Sequence, residues 1–267
     1  MGVDWELREA GPRDAEHTVL LFPGGMCSAG SYAEVMAEPA LSKVRLVAAT
    51  LPGHAGAPPP DDYSIETYAR LAADLATAIR ADVVVGFSMG GSVALEMVAS
   101  GRFTGTAVLL GLSLSAKDEP AFFHVIVKLG AVLGGLPAAA LATVAAAMVK
   151  RIPVAAERQT ELRMDFRKNV PAHMRRALRE YLRWLYRHEH PAERLCRAGV
   201  PTWIVHAEKG DGGLTGDERR ALAACPHVRL VTIPGTVFFL PNEVPHQIAD
   251  VIVEAVRHVG DRTTAAR

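Results

Sequence analysis

Residues 83–100 read Val-Val-Val-Gly-Phe-Ser-Met-Gly-Gly-Ser-Val-Ala-Leu-Glu-Met-Val-Ala-Ser. Three β-branched residues lead into Gly-x-Ser-x-Gly at 86–90, and a run with helical composition follows at once. Strand, tight turn and helix form the setting in which this pentapeptide makes a nucleophile elbow. Gly86 and Gly90 remove side chains that would collide in the turn. Ser88 then takes a strained backbone conformation with its hydroxyl exposed at a helix N-terminus, where the dipole favours developing negative charge. The pentapeptide alone is common by chance, and its specificity comes from the strand before it and the Met-Gly-Gly and helix after it.

Outward from this point, short apolar runs recur at Thr18–Phe22, Val44–Thr50, Ala107–Leu110, Thr202–His206 and Val228–Ile233. They alternate with helical patterns, so the chain is expected to be α/β, with a mostly parallel sheet and crossover helices. Residues 64–80 predict one such helix, opening on Ser-x-x-Thr where a capping box would carry Glu. From about Lys117 to Pro191 strand signals stop, and an Ala-rich then Arg-rich helical composition takes over. The expected organisation is a core of 1–116 and 192–267 with a helical cap at 117–191. Ligands in such sheets bind at the C-terminal ends of the strands. Two loops at those ends are rich in Gly and Pro, around Gly24-Gly25 and over 51–62.

The 267 residues, 49% hydrophobic, suffice for one well-filled domain. Lys plus Arg and Asp plus Glu both count 29. Nothing therefore attracts nucleic acid or an anionic membrane, and a small molecule is the expected partner. Cys27, Cys196 and Cys225 have no paired or finger-like spacing, which predicts free thiols in a reducing compartment. The first residues, MGVDWELREAGPRD, contain no apolar signal core, and a cytoplasmic location is the expectation. The apolar stretch 125–149 is interrupted by Lys128, Gly130, Gly134, Gly135 and Pro137, and reads as a buried helix pair rather than a membrane span. No motif indicates an oligomer. No metal or organic cofactor is implied, since there is no H-x-x-x-H pair, cysteine cluster or phosphate-binding glycine loop.

With the elbow in place, nearly the whole chain resembles the α/β-hydrolase superfamily: a mostly parallel sheet flanked by helices, with an inserted helical cap. LLFPGGMCSAGSY (20–32) is similar to the family's oxyanion loop, with Pro23-Gly24-Gly25 where His-Gly-x is usual. By that resemblance Gly25 and Met89 donate the two backbone N–H groups of an oxyanion hole. TLPGHAGAPPPDDYSIETYA (50–69) resembles the D-L-P-G-H-G-x-S loop. VPTWIVHAEKGDGGLT (200–215) resembles the segment that delivers the triad acid. Asp211 is its best match, one residue later than the common spacing, with Glu208 and Asp217 as weaker substitutes.

The resemblance breaks at IPGTVFFLPNEVP (233–245), similar to a segment that usually reads IPG-x-G-H-x-x-P-x-E-x-P. Ile233, Pro234 and Gly235 on one side, and Pro241, Glu243 and Pro245 on the other, keep the register, so Val237-Phe238 stand where Gly-His is usual. A serine hydroxyl needs a base to take its proton, and Phe supplies none. Loss of the base alone costs on the order of 10⁶ in kcat in the subtilisin case. His54, His124, His173, His206 and His246 are the histidines considered as a relocated base, and none outweighs an ordinary structural role. Cys27 reads as a small buried hydrophobe. Met26, Phe87 and Phe238, with Val237 and Phe239, are expected to form an apolar substrate wall. Three readings compete. One is an enzyme using the oxyanion hole and elbow for cyclisation, elimination, rearrangement or intramolecular acyl transfer. The second is an esterase, thioesterase or lactonase with a relocated base, and the third is a binding protein without catalysis.

Overall fold

The computed structural model describes residues 3–119, 121–188, 190–210 and 214–265. Among them, β1 (Leu7–Ala10), β2 (Thr18–Phe22), β3 (Arg45–Ala49), β4 (Val83–Phe87), β5 (Thr106–Leu110), β6 (Thr202–Lys209) and β7 (Val228–Thr236) form one sheet. Their spatial order is β1-β3-β2-β4-β5-β6-β7. Every pairing is parallel except that of β1 with β3. Helices α1 (Ala33–Met36), α2 (Ile65–Ile79), α3 (Met89–Ala99), α4 (Ala121–Leu133), α5 (Leu136–Met148), α6 (Ala156–Arg167) and α7 (Pro171–Arg187) follow in chain order. They are succeeded by α8 (Pro191–Ala198), α9 (Gly216–Ala223), α10 (Leu240–Glu243) and α11 (Pro245–Ala265).

Both faces of the sheet are covered, which explains why the central strands are unbroken apolar runs instead of alternating ones. On β4, Val84 points into a core shared with Leu20, Phe22, Leu95 and Ile204. Val83, Val85 and Phe87 point into the opposite core with Leu21, Trp203, Ile248 and Ile252. Each such side chain removed from water contributes roughly 1.5–3 kcal/mol. Strand β1 escaped the sequence reading because Leu7, Arg8 and Glu9 are exposed at the sheet edge, where no apolar pattern is required.

Helix α2 starts where expected. Ser64 accepts a hydrogen bond from the Thr67 N–H (3.2 Å), while Asp62 receives the Ser64 N–H (3.1 Å) and the Thr67 hydroxyl (2.6 Å). Thus Asp62 serves the N-terminus in place of the missing Glu. Helix α2 ends on Arg80 in the left-handed region, φ 55°.

Between β5 and β6 the chain is helical, α4 to α8. The apolar stretch 125–149 is split into α4 and α5 at Gly134, whose φ is +65°, and the pair is not buried as expected, since Val125, Leu129, Val132, Leu136 and Val144 are exposed. No helix among the described residues is long and apolar enough to cross a membrane. This helical segment is tied to the sheet layer at a buried carboxylate. Glu96 of α3 accepts the Trp184 indole N–H of α7 on Oε2 (3.0 Å) and an Arg194 N–H of α8 on Oε1 (3.0 Å). A second Arg194 nitrogen lies 2.9 Å from Oε2.

The free-thiol expectation is corrected for two of the three cysteines. Cys196 at the end of α8 and Cys225 just after α9 are joined in a disulfide, with Cα atoms 5.5 Å apart. Spacing in sequence hid the pair, because the packing of α8 against α9 brings together residues 29 apart. The oxidised pair also removes the cysteine argument for a reducing compartment. Cys27 is free and buried.

Candidate active site

Ser88 joins β4 to α3 with φ 51° and ψ −118°, a conformation a non-glycine residue adopts only under constraint. The constraint is close approach. A Cβ at Gly86 would lie 2.2 Å from the Gly90 carbonyl oxygen, and one at Gly90 would lie 2.4 Å from the Phe22 oxygen and 2.5 Å from that of Pro23. The elbow therefore presses on the end of β2, and the loop that leaves β2 runs alongside the serine. A Cβ at Gly24 would be 3.5 Å from Ser88 Cβ, and one at Gly25 would be 3.4 Å from Met89 Sδ. Met89 opens α3, so its N–H has no acceptor within the helix. The Gly25 N–H donates to no described residue.

The loop is clamped from two directions at Met26, which has φ 69°. Its N–H donates to His54 Nδ1 (2.9 Å), and its carbonyl accepts from Asn169 Nδ2 (2.8 Å). Asn169, just beyond α6, also accepts the Ala55 N–H (2.9 Å), joining the helical segment to the His54 loop. His54 is buried, and with Nδ1 accepting, its proton sits on Nε2, 3.4 Å from the Tyr68 hydroxyl oxygen. Burial and, secondarily, the neighbouring His173 push its pKa down from 6.5 to about 4. The ring is thus a neutral strut with both nitrogens in use.

This strut has a measurable signature. The neutral ring stabilises the fold fully above about pH 6.5; as pH falls towards 4, the unfolded chain takes up a proton that the folded chain refuses. About 3 kcal/mol of stability is expected to disappear over that window. Urea midpoints measured across it for the wild type and His54→Gln check this, and the two proteins should differ in slope with pH. Parallel slopes would show that His54 titrates freely.

Ser88, Gly25, Met26, Phe87, Met89 and Phe238, each expected at the site, all line one cavity of about 370 Å³. Asp211 lies outside the described residues. Of its substitutes, Glu208 accepts the Gly235 N–H (3.0 Å) and Asp217 pairs with Arg220 at the surface, and neither lines the cavity. Phe238 is 40% exposed at the cavity wall, its N–H held by Glu243 Oε1 (2.9 Å). The expected wall needs one correction. Val237 turns away into the core, its N–H tied to the Lys209 carbonyl (2.9 Å), whereas Phe239 lines the cavity as expected, beside Phe87 and Phe166.

Among the described residues, His54 is the sole histidine lining the cavity. His124 binds the Ala116 carbonyl (2.9 Å), His173 packs beside Tyr63, His206 is buried in β6, and His246 sits at the surface beside Glu38. Cys27 lines the cavity, but burial, then the Asp165 charge, push its thiol up to about 12, so it is no nucleophile at neutral pH. Four polar residues that support or line the site were missed by sequence reasoning: Asn169, Ser113, Glu119 and Tyr181. Glu119 Oε1 accepts the Ser113 hydroxyl (2.7 Å) and the Tyr181 hydroxyl (2.6 Å). Burial, then the carboxylate beside it, hold the Tyr181 phenol well above its ordinary pKa, so it remains a donor. No motif marks these residues, because separate elements bring them together. No group of three or more His, Cys, Asp or Glu among the described residues is placed to hold a metal ion.

A model of the alpha/beta hydrolase family matches residues 19–251, and the chain belongs to that family. No curated protein matches it in sequence. Among solved structures, it is similar to a thermophilic esterase from Thermogutta terrifontis at TM-score 0.74 and 18% identity, over 96% of this chain and 94% of the other. A hydrolase from Oleispira antarctica superposes at TM-score 0.72 and 15% identity, over 94% of each chain. MenH from S. aureus superposes at 0.70 and 16%, over 96% of this chain and 98% of the other. At such identities the likeness shows the shared fold.

Proposed function

We propose that this protein is an α/β-hydrolase-fold enzyme acting on a small, largely apolar carbonyl compound by a non-hydrolytic or intramolecular reaction: cyclisation, elimination, rearrangement or acyl transfer. One observation carries the reading. The cavity over Ser88 has no histidine free to act as a base among the described residues, since His54 is committed at both ring nitrogens. Phe238 stands on the wall where the family resemblance would put that base.

What the site retains suits chemistry that depends on positioning. The N–H groups of Gly25 and Met89 flank Ser88 and stabilise negative charge as it develops on a carbonyl oxygen, in surroundings too apolar to screen them. The aromatic and aliphatic walls hold the substrate in a reactive conformation, and proximity contributes ~7–11 kcal/mol for well-oriented partners. The partner is a small molecule and no cofactor takes part. Asp211 is the proposed acid of the incomplete triad.

The test is a fluorophosphonate probe read by intact mass against a Ser88→Ala control. With the serine unactivated, labelling is expected to be negligible over the minutes in which an intact serine hydrolase reacts to completion. Rapid labelling that requires Ser88 would establish a relocated base and overturn the cyclisation, elimination and rearrangement readings in favour of hydrolysis or acyl transfer through the serine.

A further inference from the structure

Glu119 is a carboxylate without a counter-charge on a largely apolar cavity wall, to which the adjacent Asp118 also contributes. It lines the cavity, yet no Lys or Arg does so among the described residues, and no described cation pairs with it. Both hydroxyl donors that hold it, from Ser113 and Tyr181, converge on Oε1. Oε2 takes no hydrogen bond from a described residue. The neighbouring acid is arranged differently. Asp118 Oδ2 accepts the N–H groups of Leu114 (3.1 Å) and Ser115 (2.7 Å) and closes the turn after β5.

Glu119 is half-buried, and with two neutral donors on one oxygen and none from a described residue on the other, its charge is left without a partner beside low-dielectric walls. The same cavity is lined by the aromatic rings of Phe87, Phe122, Phe123, Phe166 and Phe239. The faces of such rings attract cations and repel anions. The turn of Asp118, with Tyr181 of α7 behind it, fixes Glu119 in place, so the acceptor is preorganised.

The geometry points to Glu119 as a recognition residue that binds the protonated amine of the substrate through Oε2, making a hydrophobic ammonium compound the class that this cavity takes. The inference rests on the proposed use of the cavity as a substrate site, and narrows it to amines whose carbonyl reaches the Gly25 and Met89 N–H groups. Glu119 orients the ligand; no proton or bond changes hands at it.

The experiment is calorimetric binding of n-octylamine, n-octanol and octanoate to the wild type, Glu119→Gln and Ser88→Ala at neutral pH. The expected order for the wild type is octylammonium over octanol by about tenfold or more, as a charge-assisted hydrogen bond provides, with octanoate weakest. Glu119→Gln should abolish the preference for the amine while leaving octanol affinity within about twofold. Ser88→Ala should leave it intact, so this result is independent of fluorophosphonate labelling, which reads the serine alone. Equal binding of amine and alcohol by the wild type, a preference that survives Glu119→Gln, or failure of all three probes to bind would each overturn the assignment. If Glu119→Gln does not fold, the ranking of the three probes on the wild type decides it.

Discussion

Phe238→His is expected to raise ester hydrolysis, measured as kcat for p-nitrophenyl butyrate, by on the order of 10² or more. The wall position is already held in a fixed frame. Glu243 Oε1 accepts both the Phe238 and the Phe239 N–H (2.9 and 2.7 Å), so the side chain at 238 leaves the backbone in a defined direction. Phe238 and Ser88 line the same cavity, and a histidine ring is smaller than the one it replaces. On the proposed reading the elbow and the loop beside it would then acquire a base that takes the serine proton and returns it to the leaving group. The gain should vanish in Ser88→Ala/Phe238→His. A rate unchanged from wild type, in a protein with unaltered melting, would mean that residue 238 does not address the serine and that the family register has been misplaced.

Glu96→Ala should be the most destabilising substitution away from the elbow, at ~3–5 kcal/mol, because it strands a partly buried guanidinium and a buried indole N–H together. Glu96 is 5% exposed and receives Arg194 through two nitrogens as well as the Trp184 indole. These partners belong to α8 and α7, so the loss also loosens the helical segment that lines the cavity. Urea denaturation measures the cost. Since much of it comes from the abandoned arginine, Glu96→Ala/Arg194→Ala should be less destabilised than the two single changes added together. Additivity would show that the pair is screened by water.

The elbow was legible because its physics is local. A turn that passes against β2 tolerates no Cβ at 86 or 90, and glycines at those two places record that constraint in the sequence. The central strands were legible for a related reason, since burial on both faces leaves room only for apolar residues. Strand β1 was invisible because an exposed edge imposes no such demand. The Cys196–Cys225 bond eluded the spacing argument because it depends on how two helices pack.

The chain alone therefore settled the fold family, the serine turn and the apolar residue at 238, each written within a few consecutive positions. The site's polar chemistry was decided only in three dimensions. His54 could have been a base until its Nδ1 was found accepting the Met26 N–H. Glu119 belongs to no motif and has meaning only beside Ser113 and Tyr181, the latter 62 residues away on another helix. Short-range steric demands restrict which residue can stand at a position and so leave a mark in sequence. Hydrogen bonds between distant elements restrict only where two ordinary residues end up, and that is set by packing.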